Sequence, residues 1–187
     1  GAGNDTITVA GNLSATDTIE GGDGTDILSV SNASLTVLNA LTVSEANTFN
    51  AGFNGVEKLS LSDALDQTSF DLGYLDSVSH VVLKGITGAE TLAGFDSGDT
   101  LELTETLSDV LTASVNGAAT STTDTLNVVL SANADDDYTS VAIANVETIN
   151  VNATQSTANA AIIENTIGMA ITQATGGAAQ TVNFTGT

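Results

Sequence analysis

Short runs of alternating apolar residues recur along the chain, and their spacing constrains the fold more than any other feature. Leu28-Ser29-Val30, Leu59-Ser60-Leu61, Val81-Val82-Leu83, Leu101-Glu102-Leu103, Leu126-Asn127-Val128 and Ile149-Asn150-Val151 share one form, and Ile171 and Val182 continue the series. From residue 59 the runs start at 59, 81, 101, 126, 149 and 171, in steps of 22, 20, 25, 23 and 22 residues. One such run is too short to bury its own apolar side, so each pass of the chain must lie against the next. Steps of about 20 to 25 residues with one short strand apiece are the signature of a solenoid. Stacked passes form parallel sheets, and their inward Leu, Ile and Val make one continuous core. The expected fold is therefore all-β, a mainly parallel β-solenoid of the β-roll or β-helix kind, in a single domain over residues 1–187. Its interior should hold Ile7, Leu28, Val30, Leu59, Leu61, Val81, Leu83, Leu101, Leu103, Leu126, Val128, Ile149 and Val151.

A longer repeat supports this reading. Phe53-Asn54-Gly55-Val56-Glu57-Lys58-Leu59-Ser60-Leu61-Ser62 aligns with Ile143-Ala144-Asn145-Val146-Glu147-Thr148-Ile149-Asn150-Val151-Asn152. An Asp-x-Leu strand lies upstream of each, at Asp26-Ile27-Leu28 and Asp124-Thr125-Leu126. The separations are 31 and 23 residues, so the first copy carries an insertion. Within it, Thr42-Val43-Ser44-Glu45 has the form of a capping box, which would open a short helix ending near Phe49.

Composition excludes several function classes. The net charge is −21, from 23 acidic residues against two Lys and no Arg. A nucleic-acid binder needs clustered cations to displace counterions, and Lys58 and Lys84 cannot supply them. The same lack excludes polybasic docking to an anionic membrane. No apolar run approaches the roughly 18 residues of a membrane span. Cys is absent, so there is no disulfide framework and no thiolate site. Pro is absent where ordinary usage gives roughly nine. Small and β-branched residues dominate, which is strand chemistry with turn punctuation. Residue 1 falls inside a motif, with no initiator Met and no signal peptide, so the chain reads as part of a longer one.

The N-terminal thirty residues carry the sharpest chemistry. Gly21-Gly22-Asp23-Gly24-Thr25-Asp26-Ile27-Leu28-Ser29 satisfies the calcium-binding nonapeptide G-G-x-G-x-D-x-U-x at every fixed position. Gly1-Ala2-Gly3-Asn4-Asp5-Thr6-Ile7-Thr8 matches it without the first Gly, and Asp17-Thr18-Ile19-Glu20 is a degenerate third copy. Gly allows the positive-φ backbone that turns carbonyls toward an ion. Asp supplies a hard oxygen, and the apolar residue two positions on fills the interior. Copies two apart share one side, so Asp5 and Asp26 should hold one Ca²⁺ with carbonyls near Gly1, Gly3, Gly22 and Gly24, and with Asp23 in the same turn. Their 21-residue spacing is three more than two nonapeptides, and a bulge near Gly11 must absorb the excess.

Gly21 to Ser29 resembles the RTX (repeats-in-toxin) nonapeptide of proteins exported by type I secretion. Gly94-Phe95-Asp96-Ser97-Gly98-Asp99-Thr100-Leu101-Glu102-Leu103 resembles the D-F-x-x-G-D-x-L-x-L segment that follows many RTX arrays, with Gly94 where Asp is usual. The G-V-E-x-L-x-L segments at 55 and 145 resemble the repeating part of RTX-type bacterial surface-layer proteins. The resemblance implies an RTX-like roll over residues 1–30 and irregular coils over 31–187. It also implies secretion to the bacterial cell surface, folding on extracellular calcium, and assembly into calcium-linked sheets.

Two further acidic places are candidate cation ligands: Asp96 and Asp99, which flank Gly98 before a strand, and the like-charged run Asp135-Asp136-Asp137, of which Asp135 and Asp137 are the expected ligands. Asp63, Asp66, Asp71 and Asp76 read as solvated loop acids. No window has EF-hand spacing. The catalytic inventory is thin. His80 is the sole His, no G-x-S-x-G elbow accompanies it, and its strand context points to a structural role. The chain is expected to be a non-enzyme, a calcium-dependent structural subunit of a surface layer or related extracellular assembly. Its partners would be further copies of itself, with a cell-surface polysaccharide as an additional one. The alternatives are a spacer domain of a large RTX adhesin, or the calcium roll of a secreted RTX enzyme. Seventeen of the 23 acids lie at or before Asp109, and only Glu164 follows Glu147, an asymmetry suited to ion-controlled head-to-tail association.

Overall fold

A computed structural model describes residues 1–9, 11–131, 137–153, 166–172 and 180–186. In chain order the elements are β1 (Thr6–Thr8), β2 (Ile19–Glu20), β3 (Ile27–Val30), α1 (Asn32–Asn39), α2 (Val43–Ala51), β4 (Phe53–Asn54), β5 (Lys58–Leu61) and β6 (Ser69–Asp71). A 3₁₀ turn at Leu72–Tyr74 follows. Then come β7 (His80–Leu83), β8 (Glu90–Phe95), β9 (Thr100–Leu103), β10 (Leu111–Val115), β11 (Thr125–Leu130), β12 (Asp137–Ala144), β13 (Thr148–Ala153), β14 (Thr166–Thr172) and β15 (Thr181–Gly186).

The odd-numbered strands form one eight-stranded sheet in the order β1-β3-β5-β7-β9-β11-β13-β15. From β6 onward the even-numbered strands form a second sheet, in the order β14-β12-β10-β8-β6, and β2 pairs with β4 in a third. Every pairing among the described strands is parallel. The chain therefore passes alternately between the two main sheets, and each strand pairs with the strand two places on. The fold is mostly strand in parallel sheets, with few helices.

Register explains the apolar runs. Ile7 pairs with Leu28, Leu28 with Leu59, Leu59 with Val81, Val81 with Leu101, Leu101 with Val128 and Val128 with Val151. These form one inward row, and a second runs through Val30, Leu61, Leu83, Leu103 and Leu130. Each member is buried except Ile7, which is partly buried in the first strand of the sheet. The opposite sheet answers with Phe70, Leu92, Ala113 and Ile143. Burial on both sheet faces would leave no alternation. Here the alternation survives because the outer face keeps polar residues.

One term of the sequence series does not belong to it. Ile171 lies in β14 and pairs with Ile143 in the five-stranded sheet, whereas the partner of Ile149 is Val182. The step from 149 to its partner in the same sheet is therefore 33 residues. The expected insertion between β3 and β5 is occupied by two helices rather than one. α2 begins at the full capping box: the Thr42 hydroxyl accepts the Glu45 N–H, and the Glu45 carboxylate accepts the Thr42 N–H at 2.9 Å. α1 carries no side-chain cap and was not legible from its ends, yet Leu35 and Leu38 are buried and anchor it to the core.

Core position decides how strongly a substitution acts. Leu59→Ala removes a fully buried side chain from the middle of an inward row and should cost about 2–5 kcal/mol. Val43, 80% exposed at the start of α2, should change stability by less than about 0.5 kcal/mol when replaced by Ala. Equilibrium urea denaturation measures both.

Candidate functional site

The glycine turns before β1 and β3 stack on one another. Because Thr6 pairs with Ile27, Asp5 and Asp26 fall in one row, as their spacing requires. Ala2 and Asp23 form a parallel bridge, in which the Asp23 N–H donates to the Gly1 carbonyl at 3.1 Å and the Gly3 N–H donates to the Asp23 carbonyl at 2.7 Å. Gly22 and Gly24 hold φ values of 107° and 143°. A side chain is excluded there by space as well as conformation, since a Cβ would strike the Gly1 carbonyl oxygen at Gly22 and the Gly3 carbonyl oxygen at Gly24. Asp23 contributes this backbone stacking, and its side chain is exposed.

Asp26 is the buried acid of the turn, with 0% of its surface exposed. Its Oδ1 accepts the Asp5 N–H at 2.7 Å, and its own N–H donates to Glu57 Oε2 at 2.8 Å. Its Oδ2 is buried with no hydrogen-bond partner. A buried acceptor left unpaired costs about 1–3 kcal/mol, and more when charged. A Cβ on Gly21 would strike the Gly55 carbonyl oxygen and lie 2.6 Å from Asp26 Oδ2, so these two oxygens flank one point. Asp5 differs from its expected role as an equal partner, because its carboxylate is half exposed and it is the Asp5 N–H that meets Asp26. Among the described residues no three acidic or His side chains gather into a metal group. A hard cation at Asp26 would therefore complete its shell with backbone carbonyls, which Ca²⁺ accepts. The degenerate copy takes no part: the Asp17 carboxylate accepts the Ser14 N–H at 2.8 Å within its own loop.

Asp96 and Asp99 are brought together. Asp99 Oδ2 accepts the Asp96 N–H at 2.7 Å, and Asp96 Oδ1 accepts from Asn116 Nδ2 at 3.1 Å. Both line a polar cleft of about 120 Å³ with Asp76 and Asn116. Burial pushes the Asp99 carboxyl above the usual range; the hydrogen bond from Asp96 opposes this and the Asp96 charge adds to it. Asp135 lies outside the described residues, as do the side-chain surroundings of Asp137, whose backbone opens β12. Asp63, Asp66, Asp71 and Asp76 are exposed, though Asp71 closes strand β6 rather than lying in a loop.

Three buried carboxylates were missed: Glu90, Asp124 and Glu147. Glu90 takes an inward place beside Leu111, where burial and then the Asp66 charge raise its pKa. The signal for Glu147 was already in the repeat, since Glu57 and Glu147 follow the same Gly/Asn-Val pair. Gly55 and Asn145 hold φ of 60° and 63°, so the two turns share one backbone shape.

Lys58 and His80 converge on a single acid. Glu102 Oε2 lies 3.1 Å from Lys58 Nζ and 2.8 Å from His80 Nε2. The His80 hydrogen bond is the largest influence, and with Ser131 and Lys58 it outweighs burial and lowers the Glu102 pKa to about 2. His80 thus ties β7 to β9 across the outer face. Among the described residues no helix is long and apolar enough to cross a membrane. No protein family, curated protein or solved structure matches the chain.

The Glu102 network has a pH signature. Its folded-state pKa is depressed, so its stabilisation is present above the ordinary value of 4.5 and is lost as pH falls through that value toward about 2. Glu102→Gln should be less stable than the parent at pH 6, and the difference should shrink steadily below about pH 4.5. Urea midpoints of both chains across that range provide the check.

Proposed function

We propose that this chain is a calcium-dependent parallel β-solenoid, a structural subunit of a secreted bacterial surface layer or related extracellular assembly. The observation that carries the calcium reading is Asp26 Oδ2, an orphaned carboxylate oxygen at full burial, placed beside the Gly55 carbonyl in a stack of glycine turns. A buried charge without a partner is tolerated poorly, and a hard cation is the partner that these oxygens suit. Asp26 lies within the RTX-like nonapeptide at Gly21 to Ser29, in which Gly22 and Gly24 hold positive φ. The polar cleft at Asp96 and Asp99 is a second place where calcium would relieve an acid that burial disfavours.

The solenoid reading is supported by the strand order. Strands alternate between two parallel sheets, and in-register rows run the length of each. Calcium would act on this body as a ligand of the folded state. At a net charge of −21 the ion-free chain repels itself, and ligand binding stabilises by mass action, about 2.7 kcal/mol at a hundredfold excess over Kd. Further copies of the chain are its proposed partners, with a cell-surface polysaccharide as another, and its proposed place is outside the cell.

Calcium added at millimolar concentration to the chelated chain should produce light scattering, with ordered sheets or filaments in electron micrographs. A chain that binds calcium and stays monomeric would replace the lattice by the adhesin-spacer reading. Asp26→Asn, which keeps the shape of the side chain, should lower calcium stoichiometry by about one ion per chain and weaken hydrogen-exchange protection around residues 22–28. Calorimetry indistinguishable from the parent would remove the Asp26 site.

A further inference from the structure

The Asp26 turn has a structural double that lies outside any nonapeptide. Asp124 precedes β11 as Asp26 precedes β3, and Glu147 precedes β13 as Glu57 precedes β5. In both places the Asp N–H donates to the Glu carboxylate of the next pass, at 2.8 Å to Glu57 Oε2 and 2.9 Å to Glu147 Oε2. In both the Asp Oδ2 is buried without a hydrogen-bond partner. In both the residue two before the Glu is left-handed, and at Asn145 that conformation is held by a residue that is not Gly.

The second copy is the more demanding of the two. Glu57 is only partly buried, whereas Asp124 and Glu147 are 6% and 7% exposed. Their passes are directly paired, with Thr125 beside Thr148, and both carboxylates sit at the same end of adjacent strands. Lys58 and His80 are engaged with Glu102, and Lys84 is exposed just after β7. The Asp124 N–H meets Glu147 Oε2, and Asp124 Oδ2 is the buried carboxylate oxygen left without a partner. The carbonyl of Val146, the residue before Glu147, accepts from Gln180 Nε2 at 2.9 Å.

We propose that Asp124 and Glu147 form a second divalent-cation site, in which the buried Asp124 Oδ2 and the Glu147 carboxylate hold one hard ion of the Ca²⁺ class between β11 and β13. It is independent of the RTX-like turn, since it uses neither glycine nor residue from that segment. Its effect would be to clamp the passes on the C-terminal side, where acidic residues are few.

The full 187-residue chain, freed of metal by chelation, is titrated with calcium by calorimetry and with terbium by luminescence. Asp124→Asn should bind about one ion fewer than the parent, and Glu147→Gln should bind that ion at least about tenfold more weakly. Asp26→Asn should retain it, so loss of the N-terminal site and loss of this one are read separately. Hydrogen exchange of the parent chain guards against a variant that fails to fold. The Thr148 and Thr181 N–H groups, which donate to the Asp124 and Glu147 carbonyls, should exchange more slowly with calcium, and should still do so in the Asp26→Asn chain. Equal stoichiometry and affinity in all these chains, or calcium-insensitive exchange at both amides, would overturn the proposal.

Discussion

In-register parallel pairing is the constraint on which the rest of the structure depends. Each residue lies over its counterpart in the next pass, about 4.8 Å away, so a side chain repeated at one position meets its own kind. For Leu, Ile and Val this makes the inward rows. For Asn it makes a ladder, with Asn183 donating to Asn150 at 2.9 Å and Asn150 to Asn127 at 2.9 Å. For Asp and Glu it makes a problem, because like charges stacked at that distance oppose folding.

The chain answers that problem in three ways. Backbone amides take some of the load, as where Asp26 accepts from Asp5 N–H and Glu147 from Asp124 N–H. His80 and Lys58 take little of it, since both serve Glu102 and hold its pKa at about 2. Other acids are turned to solvent, among them Asp63, Asp66, Asp71 and Asp76. Asp26 and Asp124 fit none of these completely. Each keeps one buried oxygen that the protein itself does not satisfy. For Asp26 and Asp124 this residue of unmet demand falls at turns, which is where the chain can offer carbonyls to an ion without breaking the sheet hydrogen bonds; a third such oxygen, Glu90 Oε2, lies at the start of β8.

Much of the fold was legible because its signal is local. The triplets at 28, 59, 81, 101, 126 and 149 name their own strands, and their steps imply stacking in parallel. The second sheet was not legible. Its strands, such as Glu90–Phe95 and Leu111–Val115, lack a common spelling, and Ile171 was assigned to the wrong row because period alone cannot say which face a strand joins. The glycine turn was legible because only Gly meets its steric demands at positions 22 and 24. The role of the V-E segments was not. Val56 and Val146 are fully buried, but that the following Glu turns back to cap an Asp N–H is a tertiary fact.

The arithmetic of charge then bears on why such a chain would depend on an ion at all. With 23 acids, two Lys and one His, side-chain pairing cannot neutralise the stacked turns, whatever the packing. Replacing the acids by amides would remove the repulsion, as the Asn ladder shows on the outer face of the same sheet. On the proposed function, keeping carboxylates at buried turns instead would make the stack stable only when something positive is supplied. A monovalent ion is weakly held by such oxygens, and protonation would need a pH below the ordinary carboxylate range unless burial raises it, as at Asp99. A divalent ion meets two carboxylates at once and releases both from repulsion. On the proposed function, therefore, the acidic turns are what makes folding conditional: the apolar rows set how the passes stack, and the cation sets whether the stack is worth forming.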